Sequence, residues 1–144
     1  MYAKILVPLD GKEYGEIAVR HAGEIGQCAD AEIVLFQVVQ NPIRSYPIAA
    51  GQTEVTKATD EETGKAAAYL EKLAAPWKAK GIKVRCDVEV GEASGRILEK
   101  AEREGADLIV MSTHHEGDLH KLIKGSVAEK VLHGTKRPVL LVKP

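Results

Sequence analysis

The chain is 144 residues long, 44% apolar and 28% charged, with a formal net charge of −1. That length suits one domain with a real core, and no apolar run reaches the length a membrane span requires. The near-neutral balance gives no electrostatic ground for binding nucleic acid or an anionic membrane.

The first apolar run, Ala3-Lys-Ile-Leu-Val7, reads as a β-strand and starts so near Met1 that no secretory leader fits ahead of it. A cytoplasmic location is therefore the expectation. The run breaks into the polar turn Pro8-Leu9-Asp10-Gly11. Ile17, Ala18, His21, Ala22 and Ile25 then recur at helical spacing and predict a first helix ending near Gly26, with His21 as a half-buried packing residue. Glu32-Ile-Val-Leu-Phe-Gln-Val38 predicts a second strand. Residues 41–57 hold Pro42, Pro47 and Gly51 without a clear period, which predicts a long connection, either a functional cover or a disordered segment.

Thr59-Asp-Glu-Glu62 is a capping-box pattern and is expected to open the second helix. Its stripe is Tyr69, Leu70, Leu73, Ala74 and Trp77, its stop is Gly81, and Pro76 predicts a kink or break. The third strand, Val84-Arg-Cys-Asp-Val-Glu-Val90, alternates apolar and charged residues, as an edge strand with one wet face does. Ile97, Leu98 and Ala101 mark a third helix between Gly91 and Gly105. Cys28 and Cys86 show no ligand spacing and read as reduced thiols, partly or wholly buried.

The last third carries most of the chemistry. Asp107-Leu-Ile-Val-Met111 runs into the polar stretch Ser112-Thr-His-His-Glu-Gly-Asp118, and the chain then reaches Gly125-Ser126. Val127, Ala128, Val131 and Leu132 predict a fourth helix stopping near Gly134, and Pro138-Val-Leu-Leu-Val142 a fifth strand. A buried strand breaking into a polar turn, followed by Gly-Ser at a helix head, is how α/β folds offer backbone N–H groups to an anion. Ser126-Val-Ala-Glu129 is equally a capping box, which satisfies those donors with no ligand. His114, His115, Glu116, Asp118 and His120 crowd one segment with metal-capable groups, but without a recognised ligand spacing they read as a solvated loop and no metal site is expected. No Ser/His/Asp or Cys/His arrangement emerges, so no catalytic residue is assigned.

Strands and helices alternate throughout, which predicts a single α/β domain over residues 1–144: an open, mostly parallel five-stranded sheet with helices on both faces. The Val7-Pro-Leu-Asp10 start, the Gly91-Glu-Ala-Ser-Gly95 turn and the C-terminal pattern together resemble the universal stress protein family over essentially the whole chain. In nucleotide-binding members the signature is Gly-x-x-Gly, nine residues, then Gly-Ser or Gly-Thr. Positions 112, 115 and Gly125-Ser126 keep that spacing here, with Ser112 and His115 in the places of the first two glycines.

The resemblance implies an adenine nucleotide alpha hydrolase-like fold with strand order 3-2-1-4-5 and a crevice between the first and fourth strands. It implies ATP as the candidate cofactor, with at most slow hydrolysis. Asp10 and Val38 would contact the base or ribose, while Gly125, Ser126 and the turn from Ser112 to His115 would meet the phosphates, and Pro8, Leu9, Met111 and Val127 complete the implied nucleotide-binding set. Asp10 would accept from an adenine amino group or a ribose hydroxyl, its other reading being to help cap the first helix. The family also implies a homodimer through the last strand, using Pro138, Val139, Leu140, Leu141 and Val142. The alternative is a member that has lost the nucleotide and acts through homodimerisation and unknown protein partners, since an imidazole at position 115 fills space a phosphate would use.

Overall fold

A computed structural model of the chain describes residues 1–40, 52–113 and 126–144. Its strands are β1 (Lys4–Leu9), β2 (Glu32–Val39), β3 (Val84–Val90), β4 (Leu108–Ser112) and β5 (Val139–Val142). Between them lie a 3-10 turn at Glu13–Gly15 and the helices α1 (Glu16–Ala29), α2 (Gln52–Ala79), α3 (Ala93–Glu104) and α4 (Val127–Gly134). The sheet runs β3-β2-β1-β4-β5, and every adjacent pair is parallel. This is the order that the family resemblance implies.

Successive residues of the inner strands feed opposite cores, which is why those strands are apolar without a gap. Ile5, Val7, Leu9, Ile33, Leu35 and Val110 pack with Ala18, Val19 and Ala22 of α1 and with Leu70 and Ala74 of α2. Leu6, Val34, Phe36, Ile109 and Met111 pack on the other side with Ile97 and Ala101 of α3 and with Val131 of α4.

Three helical expectations are corrected. His21 is exposed, because α1 buries its small residues Ala18, Val19, Ala22, Gly23 and Gly26 instead. The small stripe permits close approach: a Cβ on Gly23 would lie 2.5 Å from the Trp77 ring of α2, and one on Gly26 would lie 2.9 Å from the Ile33 side chain. Gly26 is thus a packing glycine inside α1, and the helix runs on to Ala29, capped by Asp30 at φ 52°. The second helix opens at Gln52, taking up the end of the expected connection and absorbing Thr59–Glu62 into its interior, where the Thr63 hydroxyl donates back to the Thr59 carbonyl at 2.7 Å. Residues 41–51 lie outside the described residues. Of the kink or break expected at Pro76, the break does not occur, since α2 runs through it, with Leu73 and Trp77 on either side packed against the α1-side core. Cys28 and Cys86 are both free; Cys28 is exposed, while Cys86 is half-buried and its thiol is pushed up to about 11, mainly by burial and then by the Glu71 carboxylate.

The edge strand β3 alternates as its sequence suggests. Val84, Cys86 and Val88 pack inward beneath α2. The opposite face, expected to be wet, is closed over by charged residues of α3. Arg85 bridges Asp87, Glu104 and Glu32, the last at 3.2 Å, and Arg103 pairs with Glu89. At the centre Lys100, its side chain only 8% exposed, reaches Asp87 at 2.7 Å and Glu104 at 3.1 Å, and lies 5.4 Å from the Phe36 ring centroid. Exposed ion pairs are worth about 0–1 kcal/mol, but removing one partner of a buried pair costs about 3–5 kcal/mol. The Arg85 guanidinium, followed by Lys100, holds the Glu104 carboxyl down to about 2.

Val7 and Ile109 are fully buried on opposite faces of adjacent strands. Val7→Asp or Ile109→Asp should place an uncompensated charge in a core and abolish soluble, cooperatively melting protein. Because the folded value of Glu104 lies below its ordinary 4.5, its stabilisation is complete above that pH and drains away as pH falls towards 2. Glu104→Gln should therefore lower the melting temperature at neutral pH and flatten its decline between about pH 4.5 and 2, as read by pH-resolved thermal melts.

Candidate functional site

The strand β1 has β2 on one edge and β4 on the other. The chain leaving β1 enters α1 on one face of the sheet, while α4 lies on the opposite face with Leu6, Ile109 and Met111. A crevice at the carboxyl ends of β1 and β4 follows from this reversal. The end of β1 carries Pro8, Leu9 and Asp10 there, and the end of β4 carries Met111, Ser112 and Thr113.

Pro8 and Leu9 are buried, Leu9 in the α1-side core, and Asp10 is exposed. Gly11 follows at φ +82°, a conformation that favours glycine, and turns the chain sharply. Asp10 Oδ1 accepts the Lys12 N–H at 3.0 Å, and Oδ2 accepts the Tyr14 hydroxyl. The carboxylate thus closes its own turn and does not cap α1, whose N-cap, Gly15, carries no side-chain cap bond. A second phenol reinforces the segment: the Tyr69 hydroxyl of α2 lies 3.3 Å from both the Lys12 carbonyl and Glu16 Oε1. Burial first, then the Asp10 carboxylate, push the Tyr14 phenol well above its ordinary range. Burial and Glu16 push Tyr69 up to about 12.

Val38 and Met111 both belong to the α3-side core, Val38 half-buried and Met111 buried. Ser112 is half-buried, its hydroxyl 3.9 Å from where a Cβ on Gly15 would stand, on the α1 side of the sheet. The backbone N–H of Thr113 donates to the Val142 carbonyl at 3.1 Å, extending the β4–β5 pairing by one bond. Its side-chain hydroxyl is buried without a hydrogen-bond partner among the described residues, as is Gln37 Oε1 at the end of β2. Ser126 caps α4 in extended conformation, its hydroxyl accepting the Glu129 N–H at 3.2 Å, and Val127 is exposed. The capping reading of Ser126 holds. His115 and Gly125 lie outside the described residues, as do His114, Glu116, Asp118 and His120.

The expected residues at the ends of β1, β2 and β4 are therefore all at the carboxyl edge of the sheet, with the head of α4 on the Met111 side. Sequence reasoning missed Tyr14, Tyr69, Gln37 and Thr113. Only Tyr14 left a local signal, standing one helical turn beyond Asp10. At the sheet's other margin, Val139, Leu140 and Leu141 are half-buried, Val142 is buried and Pro138 is exposed. No helix among the described residues is long and apolar enough to cross a membrane.

Comparisons with known proteins agree with this architecture. Residues 1–143 match the model of the universal stress protein family. Universal stress protein MJ0531 of Methanocaldococcus jannaschii is 34% identical over 144 residues, covering 99% of this chain and 83% of that protein. The solved structure of MJ0577, from the same organism, superposes with a TM-score of 0.83 at 30% identity, over 100% of this chain and 97% of that one. A universal stress protein solved in complex with cAMP shares the fold at a TM-score of 0.75 and 23% identity, covering 98% of this chain and 97% of its own. With a family match spanning nearly every residue and relatives this similar along its full length, the chain belongs to the universal stress protein family.

Proposed function

We propose that this family member is a cytoplasmic binding module of stress physiology that takes an adenine nucleotide in the crevice between β1 and β4. The observation that carries the reading is the crevice's polarity. An exposed carboxylate, Asp10, offers acceptors at the end of β1. The head of α4, a helix packed on the Met111 side of the sheet, offers donors, because the first-turn N–H groups of a helix lack intrahelical partners and attract anions. Asp10 and Val38 then meet the base or ribose, while Ser112, Ser126 and Val127, with positions 115 and 125, meet the phosphates. The Thr113 hydroxyl, buried and without a hydrogen-bond partner among the described residues, is a further polar group at the end of β4. The cAMP complex of a protein with the same fold sets the ligand class to be tested. No bond-breaking step is assigned to these residues.

On this reading wild type binds ATP measurably by calorimetry. Ser126→Ala should weaken ATP about fivefold and leave adenosine unchanged, because only the phosphate end loses a hydroxyl. Absence of bound adenine absorbance after denaturation, together with no calorimetric signal for ATP, would overturn it.

A second reading, association without a nucleotide, is favoured by two observations. The Ser126 hydroxyl is already engaged by the Glu129 N–H, and β5 is an edge strand whose Val139, Leu140 and Leu141 are half-buried. An open apolar edge invites pairing with a second copy across a two-fold axis. Light scattering at micromolar concentration should then give twice the chain mass, ATP should not bind, and Ser126→Ala should cost about 1 kcal/mol through the lost cap. The double variant Ser112→Gly with His115→Gly separates the readings: strong ATP binding gained only in that variant marks the wild-type site as vestigial.

A further inference from the structure

Both oxygens of the exposed Asp10 carboxylate are engaged from one side, by the Lys12 N–H and by the Tyr14 hydroxyl. A turn needs only the first of these bonds. The second comes from a half-buried phenol on the 3-10 turn, and that turn is tied to α2 by the Tyr69 hydroxyl through the Lys12 carbonyl and Glu16. A carboxylate carries about four lone-pair sites, so two bonds leave an acceptor position on each oxygen. Two adjacent acceptors of fixed orientation match two adjacent hydroxyl donors. An unbraced Asp on an exposed turn would sample several rotamers and lose that match.

We propose that Tyr14 is a positioning residue for ligand binding: its phenol, backed by Tyr69, fixes the Asp10 carboxylate so that its remaining lone pairs receive the paired hydroxyls of a ribose. The inference rests on the nucleotide reading above and extends it to the sugar. Both phenols are well suited to the role, since burial and the neighbouring carboxylates keep them protonated, as donors, throughout the physiological range.

The test compares ATP with 2′,3′-dideoxy-ATP, which lacks the diol, by calorimetry on the full chain. Wild type should prefer ATP. Tyr14→Phe keeps the ring and should weaken ATP about fivefold while leaving the dideoxy probe within about twofold, because only the oriented charge-assisted bond is lost. Tyr69→Phe should give the same pattern with a smaller loss. In an Asp10→Asn background, Tyr14→Phe should no longer change the ratio of the two affinities. Equal effects on both probes, or none, would reduce Tyr14 to a packing residue and leave the nucleotide reading standing, as would an undiminished effect in the Asp10→Asn background. Should Tyr14→Phe fail to fold, Tyr69→Phe decides the matter with the same two probes. Wild type binding neither probe overturns the nucleotide reading and this inference together.

Discussion

Six residues, Lys4–Leu9, hydrogen-bond to neighbours on both edges and send side chains into both cores. That enclosure is the constraint from which the remaining geometry follows. Because β1 is central, β2 and β4 must lie on either side of it. Because the neighbouring crossovers are right-handed, the helices that follow β1 and β4 must leave to opposite faces. The opening at the carboxyl edge is a consequence of that chirality, and Asp10 is placed there by being the first residue past the last buried position. Site and core are in this sense one construction: the chain turns polar at residue 10 because there is no more core to fill.

The periphery of the sheet is held by a different force. At β3 the α3-side face carries Arg85, Asp87 and Glu89 against Lys100, Arg103 and Glu104, with Lys4 and Glu32 joining from the strands nearer the centre. Four cations meet four carboxylates, so the cluster is neutral as a whole although each charge alone would be costly to bury. An apolar face at this edge would invite a foreign strand. A mutually satisfied set of charges covers the edge while presenting nothing that a second sheet would gain by burying. Lys100 makes the arrangement workable, its aliphatic stem lying in the core side and its ammonium among the carboxylates.

How much of this could be read from the sequence divides along the distance over which each determinant acts. Strand identity, strand edges and the reversal near Asp10 are written in local composition, and the third strand's alternation correctly marked it as an edge. What covered its charged face could not be read, because Lys100 and Glu104 reach Arg85 and Asp87 only once α3 has docked. The start of α2 was misplaced because Thr59–Glu62 is an N-terminal pattern only where the preceding chain is not already helical. The spacing of Ile17, Ala18, His21, Ala22 and Ile25 finds Ala18 and Ala22 but not the turn of the buried face towards Val19, Gly23 and Gly26, which leaves His21 exposed. The buried stripe is set instead by Gly23 and Gly26, whose lack of a side chain lets Trp77 and Ile33 close in. The positions of Asp10, Val38 and Met111 at strand ends and of Ser126 at a helix head are legible in the sequence. Tyr69 was not, since its link to the Lys12 carbonyl joins residues far apart in the chain.

The contact between Gly23 and Trp77 gives the molecule an internal optical gauge. Trp77 is the sole tryptophan, half-buried, with its ring against the backbone of α1 and the Lys80 ammonium 4.5 Å from its centroid. Its emission therefore responds to how closely α1 and α2 are seated and to the Lys80 ammonium. Tyr69 lies two turns earlier on the same helix and touches the Asp10 turn. Light absorbed by tyrosine and re-emitted by Trp77 connects the loop beneath the crevice to the seam between the helices. A rearrangement of that loop can be followed without attaching any label to the protein.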